Sequence, residues 1–313
     1  MTSTALGEAL SNSLSLSSIL VLTAIGLAIT FGVMRVINMA HGEMLMLGAY
    51  TAYVVTDPDL LPSWINNLGA SWGQDWDVKI NLFYAIPIAF LVVGFVGYLT
   101  EVFLIRYLYG RPLDTLLATW GLGLVFQQLV NLTFGANLKA VEQPEVLVGN
   151  WQIGDLALPY YRVFIVGFTL MCLLLVYLWF YRTSSGLKIR AVVQNRAMAS
   201  ALGISTRRVD SLTFAIATGL AGVAGSILGP LYNVNYTMGS QYVVDAFMVV
   251  ILGGMGQLLG SIAGAVVIGT GTGFMEKLVD QPPVAKVIVL GTVVLFLLIR
   301  PSGLFAVKER SYE

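Results

Sequence analysis

TSSGLKIRAVVQNRAMASALGISTRR, residues 183–208, is a long basic segment in a chain that is otherwise almost entirely apolar. It holds five lysines and arginines and no acidic residue. Ser184 and Ser185 can cap the start of a helix, and Gly203 stands where a helix commonly ends. The predicted helix has one narrow apolar stripe, formed by Leu187, Ala191, Met198 and Leu202. Such a helix between two membrane spans can present a face to a soluble partner, or its cations can serve only to orient the chain.

The composition indicates a membrane protein. Of the 313 residues, 57% are hydrophobic and 11% are charged, whereas a soluble domain has roughly a quarter of its residues charged. The lone Cys172 excludes an intramolecular disulfide, and with a single histidine in the chain we expect no metal site. The P-loop pattern Gly-x-x-x-x-Gly-Lys-Ser/Thr is absent from the sequence. We therefore expect no catalytic residues and no bound cofactor, and ATP, if used, is hydrolysed by partner subunits.

Apolar runs predict an all-α polytopic membrane protein with eight or nine membrane segments in a single domain, residues 1–313. Crossing roughly 30 Å of hydrocarbon takes about 20 helical residues. Two runs are short and interrupted by glycine, residues 40–56 and 243–255, and we expect these to be broken or re-entrant. The longer runs are residues 14–34, 81–108, 114–134, 161–181, 209–232, 258–279 and 284–299.

The distribution of lysine and arginine orients the predicted spans. With the N-terminus outside, twelve of the 17 basic residues lie in the cytoplasm and five lie outside. The basic segment and the C-terminus are then cytoplasmic. The order of the runs also suggests an internal duplication. Residues 14–134 contain a long, a short and two long apolar runs, and residues 209–300 contain the same order. Residues 161–181 would be a connecting span, and residues 184–208 a cytoplasmic segment. An odd number of crossings separates the halves, so the two would be inverted repeats, with a transport pathway at their short segments.

Polar residues inside the apolar runs are the candidates for the pathway, since ionisable groups at membrane depth are costly and mark functional sites. The densest group is Asn38, His41 and Glu43, next to Gly42. A structural alternative stays open, in which Gly42 permits a sharp turn and Glu43 complements a helix dipole. Asp245, at the predicted start of the second short run, occupies the corresponding position.

Two further spans carry polar candidates. Glu101 is expected to face the protein interior. Arg106 lies five residues further on, about 140° around the helix, so we expect no contact between the two. In the next span, Gln127, Gln128 and Asn131 form an amide patch. Amides suit a small neutral solute, although hydrogen bonds between helices explain them equally well.

Two stretches and the basic segment resemble the permeases of high-affinity branched-chain amino-acid ABC transporters. They are RVINMAHGEMLMLGAY, residues 35–50, and DAFMVVILGGMG, residues 245–256. Within that family, MRVINMAHGE at residues 34–43 and a tryptophan-rich stretch in residues 57–79 are most similar to permeases for urea. The resemblance covers essentially the whole chain.

The resemblance implies a subunit of an importer in the bacterial plasma membrane. Its partners would be a second related permease, two cytoplasmic ATPases and an extracytoplasmic binding protein. The helix at residues 187–202 would then be the coupling helix that docks on an ATPase, with the candidate contacts Leu187, Lys188, Arg190, Ala191, Arg196, Met198, Leu202 and Gly203. Family members often carry Glu-Ala-Ala before the glycine, where this chain has Ala197, Met198 and Ala199. Docking would therefore depend on shape and on the basic face.

Three functional classes follow from these observations. The leading hypothesis is an ABC importer subunit for urea or a similar small amide, and the alternative solute is a branched-chain amino acid. A zwitterion should require charged partners within the membrane, of which the sequence offers few. A standalone carrier or channel would instead use Glu43, Glu101 or Asp245, and a purely structural subunit of a membrane complex would move no solute.

Overall fold

The computed structural model describes residues 3–57, 82–153, 156–279 and 281–305. Almost all of the tryptophan-rich stretch used in the resemblance lies outside these ranges. Within them the chain forms eleven α-helices, a short β-hairpin and two 3-10 turns. The helices are α1 (Ser3–Met34), α2 (His41–Thr56), α3 (Leu82–Phe103), α4 (Pro112–Phe134), α5 (Tyr160–Arg182), α6 (Ser184–Gln194), α7 (Arg196–Ala201), α8 (Thr206–Leu228), α9 (Met238–Gly253), α10 (Leu258–Val279) and α11 (Pro282–Ile299).

Seven of these helices are long and apolar enough to cross a membrane: α1, α3, α4, α5, α8, α10 and α11. The two short segments are α2 and α9, with 16 residues each. The all-α polytopic class is therefore confirmed, and the seven long helices together with the shorter apolar helix α9 are consistent with the eight or nine segments predicted. The antiparallel hairpin of β1 (Asn150–Ile153) and β2 (Leu156–Pro159), just before α5, was not predicted.

The first four membrane segments, α1 to α4, and the last four, α8 to α11, pack in matching ways. α1 packs along α10, and α8 packs along α3, so the first helix of each half contacts the third helix of the other. The short helices α2 and α9 contact each other as well. Exchanging the halves leaves this pattern unchanged, which is the packing expected of two structural repeats. An inverted relation between them stays a prediction.

α1 and α8 form the centre of the bundle. In each, 83% of the most apolar stretch is buried, against 22% in α4 and α5 and 11% in α11. Helix α8 lies close to α2 because glycines remove side chains from the contact, and a Cβ added at Gly225 would fall on the carbonyl of Leu45. The outer helices α4, α5 and α11 therefore leave much apolar surface uncovered by this chain.

The basic segment is two helices rather than the single helix predicted. Asn195 is extended, with φ −155°, and it ends α6 and caps α7, its side-chain Oδ1 accepting a hydrogen bond from the Met198 amide at 2.9 Å. The start of α6 is capped by Thr183 and not by Ser184 or Ser185, since Thr183 Oγ1 accepts from the Gly186 amide at 3.1 Å. Gly203, with φ +82°, follows α7 as expected. We call the end of the bundle that carries α6 and α7 the basic end.

Candidate functional site

The turn between α1 and α2 is held by the first two pathway candidates. Asn38 is fully buried, and its Oδ1 accepts from the Ala40 amide at 3.1 Å. Helix α4 fixes the same turn, because Thr119 Oγ1 accepts from the Met39 amide at 3.0 Å. His41 is also fully buried, with Nε2 3.0 Å from the Thr23 carbonyl oxygen of α1. Asn38 and His41 thus shape the turn, and neither makes a hydrogen bond to Glu43.

Glu43 lies at the centre of a small polar cluster within the membrane segments. Its Oε1 accepts a hydrogen bond from Gln127 Nε2 of α4 at 2.7 Å and from Ser240 Oγ of α9 at 3.2 Å. Gln127 Nε2 also donates to Ser240 Oγ at 2.5 Å. The Glu43 side chain is 3% exposed, and its Oε2 has no hydrogen-bond partner among the described residues. We call Glu43, Gln127 and Ser240 the Glu43 cluster.

The starts of the two half-length helices meet at this cluster. A Cβ added at Gly42 would fall on the carbonyl oxygen of Gly239, and one added at Gly239 would fall on the Glu43 carboxylate. Each helix start carries about half a positive charge from its aligned peptide dipoles. The carboxylate of Glu43 therefore lies where two positive helix ends converge.

Ser240 and Gly239 escaped the sequence analysis because α9 begins at Met238, five residues before the predicted start at residue 243. Asp245 is consequently in the middle of α9, and its expected correspondence with the start of α2 is wrong. It pairs with Lys286 of α11, with Nζ and Oδ2 2.7 Å apart, beside a groove of about 510 Å³ between α9, α10 and α11. Gln128 is exposed and Asn131 is half-buried, and neither is hydrogen-bonded to the Glu43 cluster.

Glu101 is fully buried, as expected, but the prediction that it does not contact Arg106 is wrong. Helix α3 ends at Phe103, and a 3-10 turn at Ile105–Leu108 brings the Arg106 side chain back toward α3. Arg106 Nη2 lies 3.1 Å from Glu101 Oε2. Tyr109 Oη donates to Glu101 Oε1 at 3.1 Å, and Ser211 Oγ of α8 donates to Oε2 at 2.5 Å.

A second buried carboxylate adjoins the first. Asp210 of α8 is fully buried and forms an ion pair with Arg196, the first residue of α7. The Arg196 guanidinium carbon lies 5.2 Å from the centroid of the Tyr109 ring. Burial, together with the carboxylates of Asp210 and Glu101, raises the pKa of the Tyr109 hydroxyl above its usual range, so it stays protonated and donates.

We call this group the basic-end network, and its members are Glu101, Arg106, Tyr109, Arg196, Asp210 and Ser211. Sequence reasoning missed Tyr109, Asp210 and Ser211. The one available signal was the aspartate itself, because a carboxylate beginning an otherwise apolar span needs a partner.

The segment of α6 and α7, which carries the predicted coupling residues, has two faces. Ile189, Val192 and Ala199 are buried against the bundle. The expected stripe faces away from it, with Leu187 61%, Met198 59% and Leu202 76% exposed. Lys188 is exposed, Ala191 is half-buried, and the half-buried Arg190 lies over the Tyr181 ring at 5.3 Å. Arg196 turns inward to Asp210, so it belongs to the network rather than to the exposed face.

Comparison with known proteins assigns the chain to a family. The family model described as branched-chain amino acid transport system / permease component matches residues 9–298. The chain belongs to this permease family. It is 30% identical over 310 residues to the high-affinity branched-chain amino acid transport system permease protein BraD of Pseudomonas aeruginosa, and the match covers 96% of each chain.

Two further relatives extend this similarity. The permease LivH of Escherichia coli K12 is 28% identical over 307 residues, covering 95% of this chain and 94% of LivH. The ribose import permease RbsC of Bacillus subtilis is 33% identical over 109 residues, 32% of this chain. No solved structure matches. The expected ABC permease family is thus confirmed, and the names of the relatives favour the alternative solute, a branched-chain amino acid, over urea.

Proposed function

We propose that this chain forms the solute pathway of an ABC importer in the bacterial plasma membrane. The observation that carries the proposal is the Glu43 cluster at the converging starts of α2 and α9. A second related permease would complete the membrane unit, and an extracytoplasmic protein would deliver the solute. Two cytoplasmic ATPases would supply the energy. The N-terminus would lie outside and the basic end in the cytoplasm.

A branched-chain amino acid is the proposed solute. Its ammonium group would bind Glu43 Oε2, the oxygen that has no partner among the described residues. Its carboxylate would face the positive starts of α2 and α9, as anionic groups do at helix starts. The polar ends of a zwitterion are thereby matched without a lysine or arginine in the Glu43 cluster. The names of the full-length relatives support the same solute class.

Urea is the second candidate, and the amide and hydroxyl of the cluster favour it. Gln127 and Ser240 both bond to Glu43 Oε1 and could exchange these bonds for bonds to a small amide. The sequence of residues 34–43 also resembles that of urea permeases, which supports urea as the second candidate.

Uptake of labelled leucine and labelled urea in a strain lacking this chain separates the candidates. Restoring the chain should restore ATP-dependent leucine uptake, which an excess of unlabelled valine inhibits. ATP-dependent urea uptake without leucine uptake would replace the proposed solute by urea. Uptake that an ionophore abolishes and ATP depletion does not would identify a standalone carrier. Absence of any uptake defect in the deletion strain would favour a structural subunit.

The exposed stripe on α6 and α7 is the proposed ATPase contact. Replacing Met198 or Leu202 with Asp places a charge on an apolar face, and we expect loss of uptake at unchanged amounts of inserted protein. Val193→Asp is the matched control, because Val193 is an exposed apolar residue of the same segment outside the stripe. Equal loss in the control, or normal uptake in Met198→Asp and Leu202→Asp, would contradict docking through this stripe.

A further inference from the structure

We infer that Arg196 is a positioning residue that transmits movement of the α6–α7 segment to the transmembrane helices through the basic-end network. The inference rests on the proposed function, because it assigns a path to the force that partner ATPases would apply. It adds a role for six residues that the exposed docking stripe does not include.

The first step is the link between α7 and α8. Helix α7 has six residues and begins immediately after the break at Asn195, so it can shift relative to α6. Its first residue, Arg196, pairs with Asp210 in the first turns of α8. Asp210 is fully buried and has no other hydrogen-bond partner among the described residues. Separating the pair would leave an uncompensated buried charge, so a displaced α7 must carry α8 with it.

The second step joins α8 to α3. Arg196 lies over the Tyr109 ring, whose hydroxyl donates to Glu101 of α3. Glu101 also accepts from Ser211 of α8, and Arg106 donates to Ser211 Oγ at 2.9 Å. The ends of α3 and α8 are thus clasped by charge-assisted hydrogen bonds, which are stronger and more directional than neutral ones. Arg196 acts on both helices at once.

The third step leads from α8 to the Glu43 cluster. Helix α8 packs along α2 through glycine contacts, in which a Cβ at Gly48 would fall on the backbone of Gly222. Contacts without intervening side chains leave little room for α8 to shift independently of α2. A movement that enters at Arg196 therefore arrives at the helix that carries Glu43.

The alternative is a static clamp that only holds the fold. Force transmission by Arg196 and a static clamp predict different numbers of solute molecules taken up per ATP hydrolysed. This ratio is measured in proteoliposomes with the complete importer. For Arg196→Gln we expect ATP hydrolysis within twofold of wild type and at least a tenfold lower uptake per ATP. Arg207→Gln is the control, because Arg207 is an exposed arginine near the start of α8 that joins the network only through its backbone carbonyl, which accepts from Ser211 at 2.9 Å and which the substitution keeps, and it should leave the ratio unchanged.

A double variant keeps the test independent of folding. Arg196→Gln with Asp210→Asn removes the buried charge together with its partner, so stability should recover relative to Arg196→Gln alone. If Arg196 transmits force, uptake per ATP stays low in the double variant. Recovery of the ratio together with stability would show a static clamp and overturn the inference.

The proposed function can fail separately. A wild-type complex without ATP-driven uptake would refute both proposals. ATP-driven uptake with an unchanged ratio in Arg196→Gln would refute the inference alone.

Discussion

Glu43 and Glu101 are both buried carboxylates on helices of the first half, yet their surroundings differ. Glu101 accepts from a guanidinium, a phenol and a serine hydroxyl, which occupy both of its oxygens. Among the residues that the structure describes, Glu43 accepts only from an amide and a hydroxyl, both on one oxygen. Buried polar groups are normally paired, so an oxygen without a partner needs a reason. The Glu101 site is thus completed by the protein, whereas Glu43 keeps an oxygen that can still accept a hydrogen bond.

The location of each carboxylate agrees with this difference. Glu101 is at the basic end, where α3, α8 and α7 must stay in register. Glu43 lies where two helices begin, and the neutral partners Gln127 and Ser240 can rearrange at low cost. A completed ion pair resists change because removing either partner exposes a buried charge. Asp210 also has an oxygen without a described partner, but it is held by the ion pair with Arg196, whereas Glu43 has only neutral described partners and is therefore suited to binding a group that comes and goes.

The largest effect is expected from removing the charge that Glu101 depends on. Arg106→Ala should lower the free energy of unfolding more than any other substitution proposed here, because a buried carboxylate loses its cation while Ser211 and Tyr109 still donate to it. Denaturant titration in detergent micelles measures the change. Arg111→Ala is the control, since Arg111 and Asp114 are 74% and 53% exposed, and the loss there should stay below about 0.5 kcal/mol. Similar losses in both variants would contradict the view of Glu101 as a structural charge.

Replacing the other carboxylate should change transport more than stability. Glu43→Gln removes the charge but keeps a hydrogen-bonding side chain of the same size. We expect the free energy of unfolding to change by less than about 1 kcal/mol. Uptake of a zwitterionic solute should fall at least tenfold, which corresponds to about 1.4 kcal/mol.

Initial rates in proteoliposomes measure this change. Gln128→Ala, next to Gln127 but outside the Glu43 cluster, should keep wild-type uptake. Normal uptake in Glu43→Gln would show that the spare oxygen does not serve the solute.

The smallest effect on the free energy of unfolding is expected at a third carboxylate, Asp245. Asp245 pairs with Lys286, and both side chains are partly exposed on this chain. Lys286→Met should lower the unfolding free energy by no more than about 1 kcal/mol, because solvent screens a half-exposed pair. Thermal unfolding of the purified chain measures it, with Lys286→Met plus Asp245→Asn as the control. A loss comparable to that of Arg106→Ala would contradict the view that solvent screens this pair.

Composition and hydrophobic run length were enough to predict the membrane class and the seven long spans. Both depend on sums over many residues, which tolerate local errors. The Glu101–Arg106 contact could not be predicted, because a helical-wheel argument holds only while the helix continues, and α3 stops at Phe103. The break at Asn195 was missed because the apolar spacing was followed across it, although asparagine favours helix caps over helix interiors.

The candidate sites were predicted only in part. Asn38, His41, Glu43 and Gln127 do come together around the start of α2, because three of them are close in sequence. Ser240, Tyr109, Asp210 and Ser211 join their sites through tertiary packing, which local pattern does not encode. The family resemblance supplied what spacing could not, although its finer indication, urea, is less well supported than the amino-acid alternative.

The contact between Gly42 and Gly239 also bears on how this chain can evolve. Gly42 is closed to larger residues by the backbone of Gly239, and Gly239 is closed by the carboxylate of Glu43, so a side chain at Gly42 requires α9 to move and one at Gly239 requires Glu43 to move. Tolerance to mutation should therefore be low at two points far apart in the sequence, and new solute preferences are expected to arise from the side chains around this pair.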